Sequence, residues 1–145
     1  MNLRRVSIGA TAVLTVAAVS LLLRRSLFAH GPILVGIQVV AGALMLWARL
    51  TFGGRSFHAG ANPTAGGLVT TGPYRLVRHP IYTALLLFFW AGVISHGTIL
   101  SVLTAIVATA ALGVRMVAEE ELVTDQYPEY AEYAGRTKRI IPFLL

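Results

Sequence analysis

Long apolar runs alternate along this chain with short polar segments that carry nearly all of its charge. The apolar runs predict hydrophobic helices over residues 6–23, 32–48, 81–95 and 98–114. A helix rises about 1.5 Å per residue and a bilayer core is roughly 30 Å thick, so about 20 apolar residues span it. The third run is short for a full crossing, and its depth in the membrane stays open. The pattern therefore predicts an all-α integral membrane protein with four hydrophobic helices.

The first apolar run has an alternative interpretation as a cleaved signal peptide, because Arg4 and Arg5 resemble the basic start of one. The run is long, however, and Arg24 and Arg25 follow it where the small residues of a cleavage site are expected. A membrane helix is the favoured interpretation.

The charges indicate an orientation. The 145 residues include 12 Lys and Arg against 6 Asp and Glu, a net charge of +6. If all four helices cross, Arg24 and Arg25 lie on one side, and the other basic residues lie with both termini on the opposite side. The positive-inside rule places that basic side in the cytosol, so an N-in, C-in topology is predicted. The basic excess then marks the inner face of a membrane protein, and no nucleic-acid partner is predicted.

The absence of cysteine excludes disulfides, thiolate nucleophiles and cysteine zinc sites. No metal site is predicted. The glycines of the polar loop are followed by no Walker-type Lys and come after no strand, which excludes phosphate-loop and Rossmann sites.

Two segments are too polar and too patterned to serve only as connectors, namely the loop over 52–79 and the tail over 115–145. The third and fourth helices are joined at His96-Gly97, so they must be antiparallel neighbours. Their cytosolic ends then bring the loop and the tail together. The sequence predicts a pocket there, at the membrane surface of a single domain over 1–145.

Residues at the ends of this hairpin are candidates for chemistry. Pro80 suits the first turn of the third helix, whose free N–H groups lie beside His79. Arg115 and Glu119 are four residues apart and share a helix face. An arginine directly after an apolar run is a functional candidate, and a simple ion pair with Glu119 is the alternative. Glu120 is expected on another face, towards water.

Three tyrosines in the tail, Tyr127, Tyr130 and Tyr133, recur every three residues. That spacing is typical of one side of a short amphipathic helix. Packing is the favoured interpretation for Tyr127 and Tyr133, and the role of Tyr130 stays open.

The motifs are specific in combination. They are G-P-Y-R-x-V-R-H-P-x-Y from Gly72 to Tyr82, R-x-x-x-E-E from Arg115, Y-x-E-Y-x-x-Y from Tyr127, and a terminal R-I-I-P. Together they resemble the isoprenylcysteine carboxyl methyltransferase and phospholipid methyltransferase family. The first two predicted helices match that family only in being hydrophobic helices, and they carry none of these motifs. Ala84 and Pro128 depart from the family pattern, in which glycine is common at both positions. These departures bear on the expected local shape of the backbone.

The resemblance implies an integral membrane enzyme that binds S-adenosyl-L-methionine in a cytosol-facing pocket, formed by the hairpin and its polar flanks. It implies that one set of residues contacts the cofactor: Gly66, Gly67, Leu68, Val69, Tyr74, His79, Pro80, Ile81, Tyr82 and Glu119. It also implies that Arg115 is the catalytic and substrate-binding residue, which orients the acceptor.

The expected reaction is methyl transfer to a hydrophobic or lipid-like acceptor at the cytosolic membrane surface, and membrane lipids are further expected partners. A carboxylate acceptor is favoured, as in isoprenylcysteine methyl esterification. Methyl transfer from a sulfonium needs donor and acceptor held in line at close approach. Two alternatives stay open: an NADPH-dependent membrane sterol-type reductase, and a non-catalytic lipid-binding membrane module. The acceptor's identity, the choice of O-, N- or S-methylation, and the oligomeric state are also open.

Overall fold

The computed structural model describes residues 2–53 and 67–141. The helices in these ranges are α1 (Leu3–Leu23), α2 (Pro32–Phe52), α3 (Pro80–His96), α4 (Ile99–Gln126) and α5 (Tyr130–Arg136), with a short 3₁₀ helix over Gly72–Arg75. Within the same ranges, β structure is limited to one isolated parallel bridge between Val77 and Lys138. The predicted all-α class is confirmed.

Three of the helices, α1, α2 and α4, are long and apolar enough to cross a membrane. The predicted short third run lies in α3, which is apolar but has only 17 residues. A full crossing by α3 stays a prediction, and so does the N-in, C-in orientation.

Local sequence signals mark where the helices begin and end. Pro32 and Pro80 occupy first-turn positions of α2 and α3, where the missing N–H has no intrahelical partner to lose. Gly97 ends α3 in the left-handed conformation, with φ of 65°. The turn to α4 is therefore tight, and it places the start of α3 beside the C-terminal part of α4.

The fourth helix is longer than the apolar pattern predicts. Its predicted end is residue 114, whereas α4 continues to Gln126. The residues that follow 114 include Met, Ala, Glu and Leu, which are strong helix formers, so the change from apolar to polar does not end the helix. The predicted tail from 115 thus begins as helix, and Arg115 and Glu119 project from a rigid element.

The helices pack in two pairs, α1 along α4 and α2 along α3. Many of the buried side chains are alanines, which let helix backbones approach closely: Ala10, Ala17, Ala41, Ala48, Ala84, Ala91, Ala105 and Ala108. The two pairs meet in a core where Leu21 of α1 and Val93 of α3 are fully buried and Phe89 packs beside them. This core lies at the end of the bundle opposite the polar segments.

The connection between α1 and α2 is fixed to α3 by a polar residue that the apolar pattern leaves unexplained. Gln38 of α2 is buried, and its Nε2 donates to the carbonyl oxygens of Leu27, at 2.8 Å, and Phe88, at 3.0 Å. Its Oε1 accepts from the Ala29 backbone N–H at 2.9 Å. One side chain thereby ties together α2, α3 and the connection.

Gly92 of α3 packs directly against that connection. A Cβ at this position would lie 2.3 Å from the Leu27 carbonyl oxygen and 2.6 Å from that of Ser26. Because backbone atoms cannot move aside cheaply, Gly92→Ala is expected to destabilise the fold by about 1–3 kcal/mol. Thermal unfolding in detergent measures the effect. Gly113→Ala is the matched control, since nothing lies within 4 Å of the added methyl group; equal melting temperatures for the two variants would contradict the assigned contact.

Candidate functional site

A cavity of about 530 Å³ lies where the polar ends of the helices meet. This volume is within the usual range of small-molecule sites. Every predicted site residue that the structure describes lines the cavity: Gly67, Leu68, Val69, Tyr74, His79, Pro80, Ile81, Tyr82, Arg115 and Glu119. Gly66 lies outside the described residues. The structure thus brings the loop and helix candidates together, and their roles as cofactor contacts stay predictions.

Arg115, Glu119 and Tyr82 form one hydrogen-bonded triad in the wall of the cavity. The Tyr82 hydroxyl donates to Glu119 Oε1 at 2.5 Å. Arg115 Nε donates to the Tyr82 hydroxyl oxygen at 2.6 Å and to Glu119 Oε1 at 3.1 Å. The ion pair expected from the spacing of four residues is present, and Tyr82 of α3 joins it. Two helices are therefore coupled at the carboxylate of Glu119.

Thr11 of α1 extends this triad, and no sequence signal marked it. Arg115 Nη1 donates to the Thr11 hydroxyl oxygen. The Thr11 hydroxyl in turn donates to the Ser7 carbonyl oxygen at 2.9 Å, within the same helix. A threonine in a membrane-type helix usually bonds in this local way. Its contact with Arg115 depends on the packing of α1 along α4, which no local pattern specifies.

Glu120 lies at the centre of a charged group that we call the Glu120 cluster: Arg78, His79, Glu120 and Arg139. The carboxylate is 3.0 Å from Arg78 Nε, 3.2 Å from His79 Nε2 and 2.8 Å from Arg139 Nη2. Its side chain is only 13% exposed. The expectation that Glu120 faces water is therefore wrong: α4 continues past residue 114 beneath the loop and the tail, and both supply cations to the carboxylate.

The tail is also bound to the loop through backbone hydrogen bonds. The Arg78 N–H donates to the Lys138 carbonyl oxygen at 2.7 Å, and the His79 N–H donates to that of Arg139 at 3.0 Å. The Thr83 hydroxyl donates to the Ile140 carbonyl oxygen at 2.8 Å. This explains why R-I-I-P near the end of the chain accompanies the His-Pro motif, although Pro142 lies outside the described residues.

The tyrosines form the remaining polar wall. Tyr130 and Tyr133 are both buried, with ring centroids 5.8 Å apart, and Tyr127 is half-buried. The Tyr133 hydroxyl donates to the Tyr74 carbonyl oxygen at 2.7 Å. Burial raises the pKa of Tyr133 to about 12, so this hydroxyl keeps its proton at neutral pH. The role left open for Tyr130 includes packing against Tyr133, and all three tyrosines also line the cavity.

Aromatic rings flank the triad as well. The His79 and Tyr82 rings are stacked, with centroids 5.3 Å apart and planes 10° from parallel. The Tyr74 ring lies 5.5 Å from that of Phe52, at the end of α2. Phe52 and Arg49 of α2 line the cavity too, although the motifs gave no reason to select either. A basic residue in the last turn of a helix is too common to mark a site.

The other end of the cavity is apolar. Its lining there comes from α1 and α3: Leu14, Ala18, Leu85 and Phe89. A single cavity therefore joins a polar region with carboxylates, phenols and guanidinium groups to an apolar region between membrane-type helices. Across the described residues, no group of three or more His, Asp or Glu side chains is arranged to hold a metal ion.

This fold and this cavity define a helical protein with a mixed polar and apolar ligand pocket at one end of membrane-type helices. The chain belongs to the phospholipid methyltransferase family, whose profile matches residues 26–130. The family predicted from the motifs is thereby confirmed.

Two curated bacterial proteins are similar to this chain. It is 36% identical over 105 residues to the cobalt-zinc-cadmium resistance protein CzcN of Cupriavidus metallidurans. It is 30% identical over 105 residues to the nickel-cobalt-cadmium resistance protein NccN of Alcaligenes xylosoxydans xylosoxydans. Each alignment covers 68% of this chain and 43% of the relative, so the chain aligns with less than half the length of either. No solved structure matches the chain.

Proposed function

We propose that this chain transfers a methyl group from S-adenosyl-L-methionine to a hydrophobic or lipid-like acceptor at the cytosolic surface of a membrane. The observation that carries the proposal is the cavity of about 530 Å³ that is polar at one end and apolar at the other. Membership of the phospholipid methyltransferase family supports methyl transfer as the reaction. A polar cofactor and an apolar acceptor need such a divided site.

The residues at the polar end fit the cofactor, which combines an adenine ring, ribose hydroxyls, an amino-acid group and a sulfonium cation. The Glu119 carboxylate accepts hydrogen bonds from hydroxyl or ammonium groups, and the Tyr74 and Tyr82 rings suit an aromatic or cationic partner. Gly67 has a φ of 80°, a conformation that glycine adopts readily, beside Leu68 and Val69. When bound, the cofactor supplies an electrophilic methyl group.

The proposed role of Arg115 is to orient an anionic group of the acceptor, and a carboxylate is favoured. Tyr82, Glu119 and Thr11 all bond to its guanidinium group and fix its plane. A fixed guanidinium group suits a planar carboxylate partner. A carboxylate acceptor needs no general base, so the chain's residues have only to position it in line with the methyl group and exclude water.

The two alternatives make different demands on the same cavity. A sterol-type reductase requires NADPH at the polar end, and a lipid-binding module requires no cofactor. The family profile supports methyl transfer over both. The matched residues include the Tyr82, Arg115 and Glu119 triad in the wall of the cavity.

A binding experiment separates these functions. The purified protein in detergent is titrated by calorimetry with S-adenosylmethionine, S-adenosylhomocysteine and NADPH. We expect the first two to bind and NADPH not to bind. Incubation with methyl-labelled S-adenosylmethionine and a membrane lipid extract, followed by mass spectrometry, should then identify a labelled lipid product. Binding of NADPH alone would support the reductase, and binding of none of the three would support the lipid-binding module.

Metal resistance is a second candidate role, suggested by the names of the two relatives. The described residues hold no cluster suited to a metal ion, so we propose that any such role acts through methyl transfer. A bacterial strain that depends on this chain for growth in cobalt or zinc should then be equally sensitive with the Glu119→Gln variant and with no protein. If that variant still confers resistance, metal resistance does not depend on the chemistry of the cavity.

A further inference from the structure

The first helix contributes to the cavity although it lies outside the part of the chain that the family profile matches, residues 26–130. Its lining residues are Thr11, Leu14, Thr15 and Ala18. They are spaced by three, four and seven residues, so they share one face of α1. At one end of this face, Thr11 contacts Arg115 of α4. At the other end, the face continues into the apolar end of the cavity.

The apolar end is closed at its far side. Leu85 and Phe89 of α3 line it opposite α1. Beyond Ala18, the next turn of α1 places Leu21 in the core, where Leu21 and Val93 are fully buried beside Phe89. Ala18 packs against this same core cluster. Along the helix axis the cavity therefore ends against packed side chains, and a hydrocarbon chain that stays between α1 and α3 cannot extend past them.

The depth of this region follows from helix geometry. Seven residues separate Thr11, at the triad, from Ala18, at the closed end, which corresponds to about 10 Å along the helix axis. The side chain at position 18 is a single methyl group, the smallest on this face of α1. A larger side chain there would project into the closed end and shorten the space available.

We propose that Ala18 is a specificity-determining residue that sets how long a hydrocarbon chain the acceptor can carry. This inference rests on the proposed methyl transfer, with the reacting group of the acceptor near the triad and its hydrocarbon chain between α1 and α3. Hydrophobic pockets discriminate chains that differ by one methylene about 10- to 200-fold. Adding methyl groups to the side chain at position 18 should therefore change measurably which chain lengths are accepted.

The test compares Ala18→Val and Ala18→Leu with the unaltered chain, using methyl-labelled S-adenosylmethionine and a membrane lipid extract. Mass spectrometry of the labelled products gives their chain-length distribution. We expect the distribution to shift stepwise to shorter chains, with the longest product reduced about tenfold or more by Leu. Cofactor affinity should stay unchanged, because position 18 is remote from Glu119. Val16→Leu is the control, since Val16 is 69% exposed on the outer side of α1.

A second measurement keeps this inference separate from the proposed function. The melting temperature is recorded in detergent with saturated fatty acids of increasing length, which need no methyl transfer. The chain length that gives the largest stabilisation should decrease from Ala18 to Val to Leu. An unchanged length optimum and an unchanged product distribution in folded variants would overturn the role of Ala18. Absence of any labelled product from the unaltered chain would instead overturn the proposed function, and the fatty-acid series would still decide the inference.

Discussion

Replacing Glu119 by Gln is expected to abolish binding of S-adenosylmethionine at concentrations where the unaltered chain is saturated. The Glu119 carboxylate accepts from Tyr82 at 2.5 Å and from Arg115 at 3.1 Å, so its charge balances the guanidinium group within the cavity wall. The neutral amide keeps the shape and loses this balance. Hydrogen bonds to charged groups contribute about 1.5–3 kcal/mol each, so losing one or two lowers the affinity by about tenfold to about ten-thousandfold.

The measurement is calorimetric titration in detergent, with melting temperature as a check that the variant is folded. Glu121→Gln is the matched control, because Glu121 belongs to the same run of glutamates on α4 and is exposed. Its cofactor affinity should equal that of the unaltered chain. If Glu119→Gln binds S-adenosylmethionine with unchanged affinity, Glu119 plays no part in holding the cofactor and the polar end of the site must be assigned to other groups.

The helices follow from the sequence because their signals are local. The apolar runs, the prolines at the first turns and Gly97 at the end of α3 each act within a few residues. The end of α4 was predicted too early because its true position also depends on contacts with distant segments. Apolar periodicity stops near residue 114, but helix propensity does not, and the continuation to Gln126 is stabilised by contacts with the loop and the tail.

The candidate site was found where its residues belong to compact motifs and missed where they depend on packing between distant helices. Tyr82 and Glu119 are in the motifs, and both line the cavity. Thr11 and Arg49 also line it, yet each lies in a largely apolar helix where a polar residue has several ordinary roles. Only the packing of α1 along α4 places Thr11 at Arg115. Sequence spacing carries no information about such a contact.

The prediction for the charged residue Glu120 failed for the same reason, because its contacts come from distant parts of the chain. Adjacent residues of a helix point in different directions, so Glu119 and Glu120 were correctly expected on different faces. The prediction that the face carrying Glu120 is exposed was wrong, because the tail covers that face. Arg139 and Arg78 approach Glu120 from outside α4. The two neighbouring carboxylates therefore serve two groups, Glu119 the triad and Glu120 the Glu120 cluster. His79 lies between the groups, with Nε2 3.2 Å from Glu120 Oε1 and Nδ1 3.9 Å from Glu119 Oε2.

Replacing Glu120 by Ala is expected to release the tail from the loop and to destabilise the protein by about 3 kcal/mol. The Arg78 and His79 side chains are only 11% and 9% exposed, and the substitution removes the carboxylate that both of these largely buried groups share. Arg78 Nη1 keeps its hydrogen bonds to the Ala134 and Thr137 carbonyl oxygens, and His79 Nδ1 keeps Glu119 Oε2 at 3.9 Å, so the expected loss is at the low end for a broken buried ion pair. Arg139 is 52% exposed, so its part of the loss is small. Because the tail residues are bonded to the His79 backbone, the loss should also displace His79 from the cavity wall.

Two measurements check this expectation for Glu120: the melting temperature in detergent, and the rate at which trypsin cleaves after Lys138 and Arg139. The melting temperature should fall and cleavage should accelerate, with weaker cofactor binding as a secondary effect. Glu121→Ala removes an exposed carboxylate from the same helix and should change neither quantity. Equal cleavage rates in the two variants would mean that the backbone pairing of residues 78–79 with 138–139 and the hydrogen bonds from Arg78 Nη1 to the Ala134 and Thr137 carbonyl oxygens hold the tail without Glu120. The ion pairs of Glu120 would then contribute little to closing the pocket.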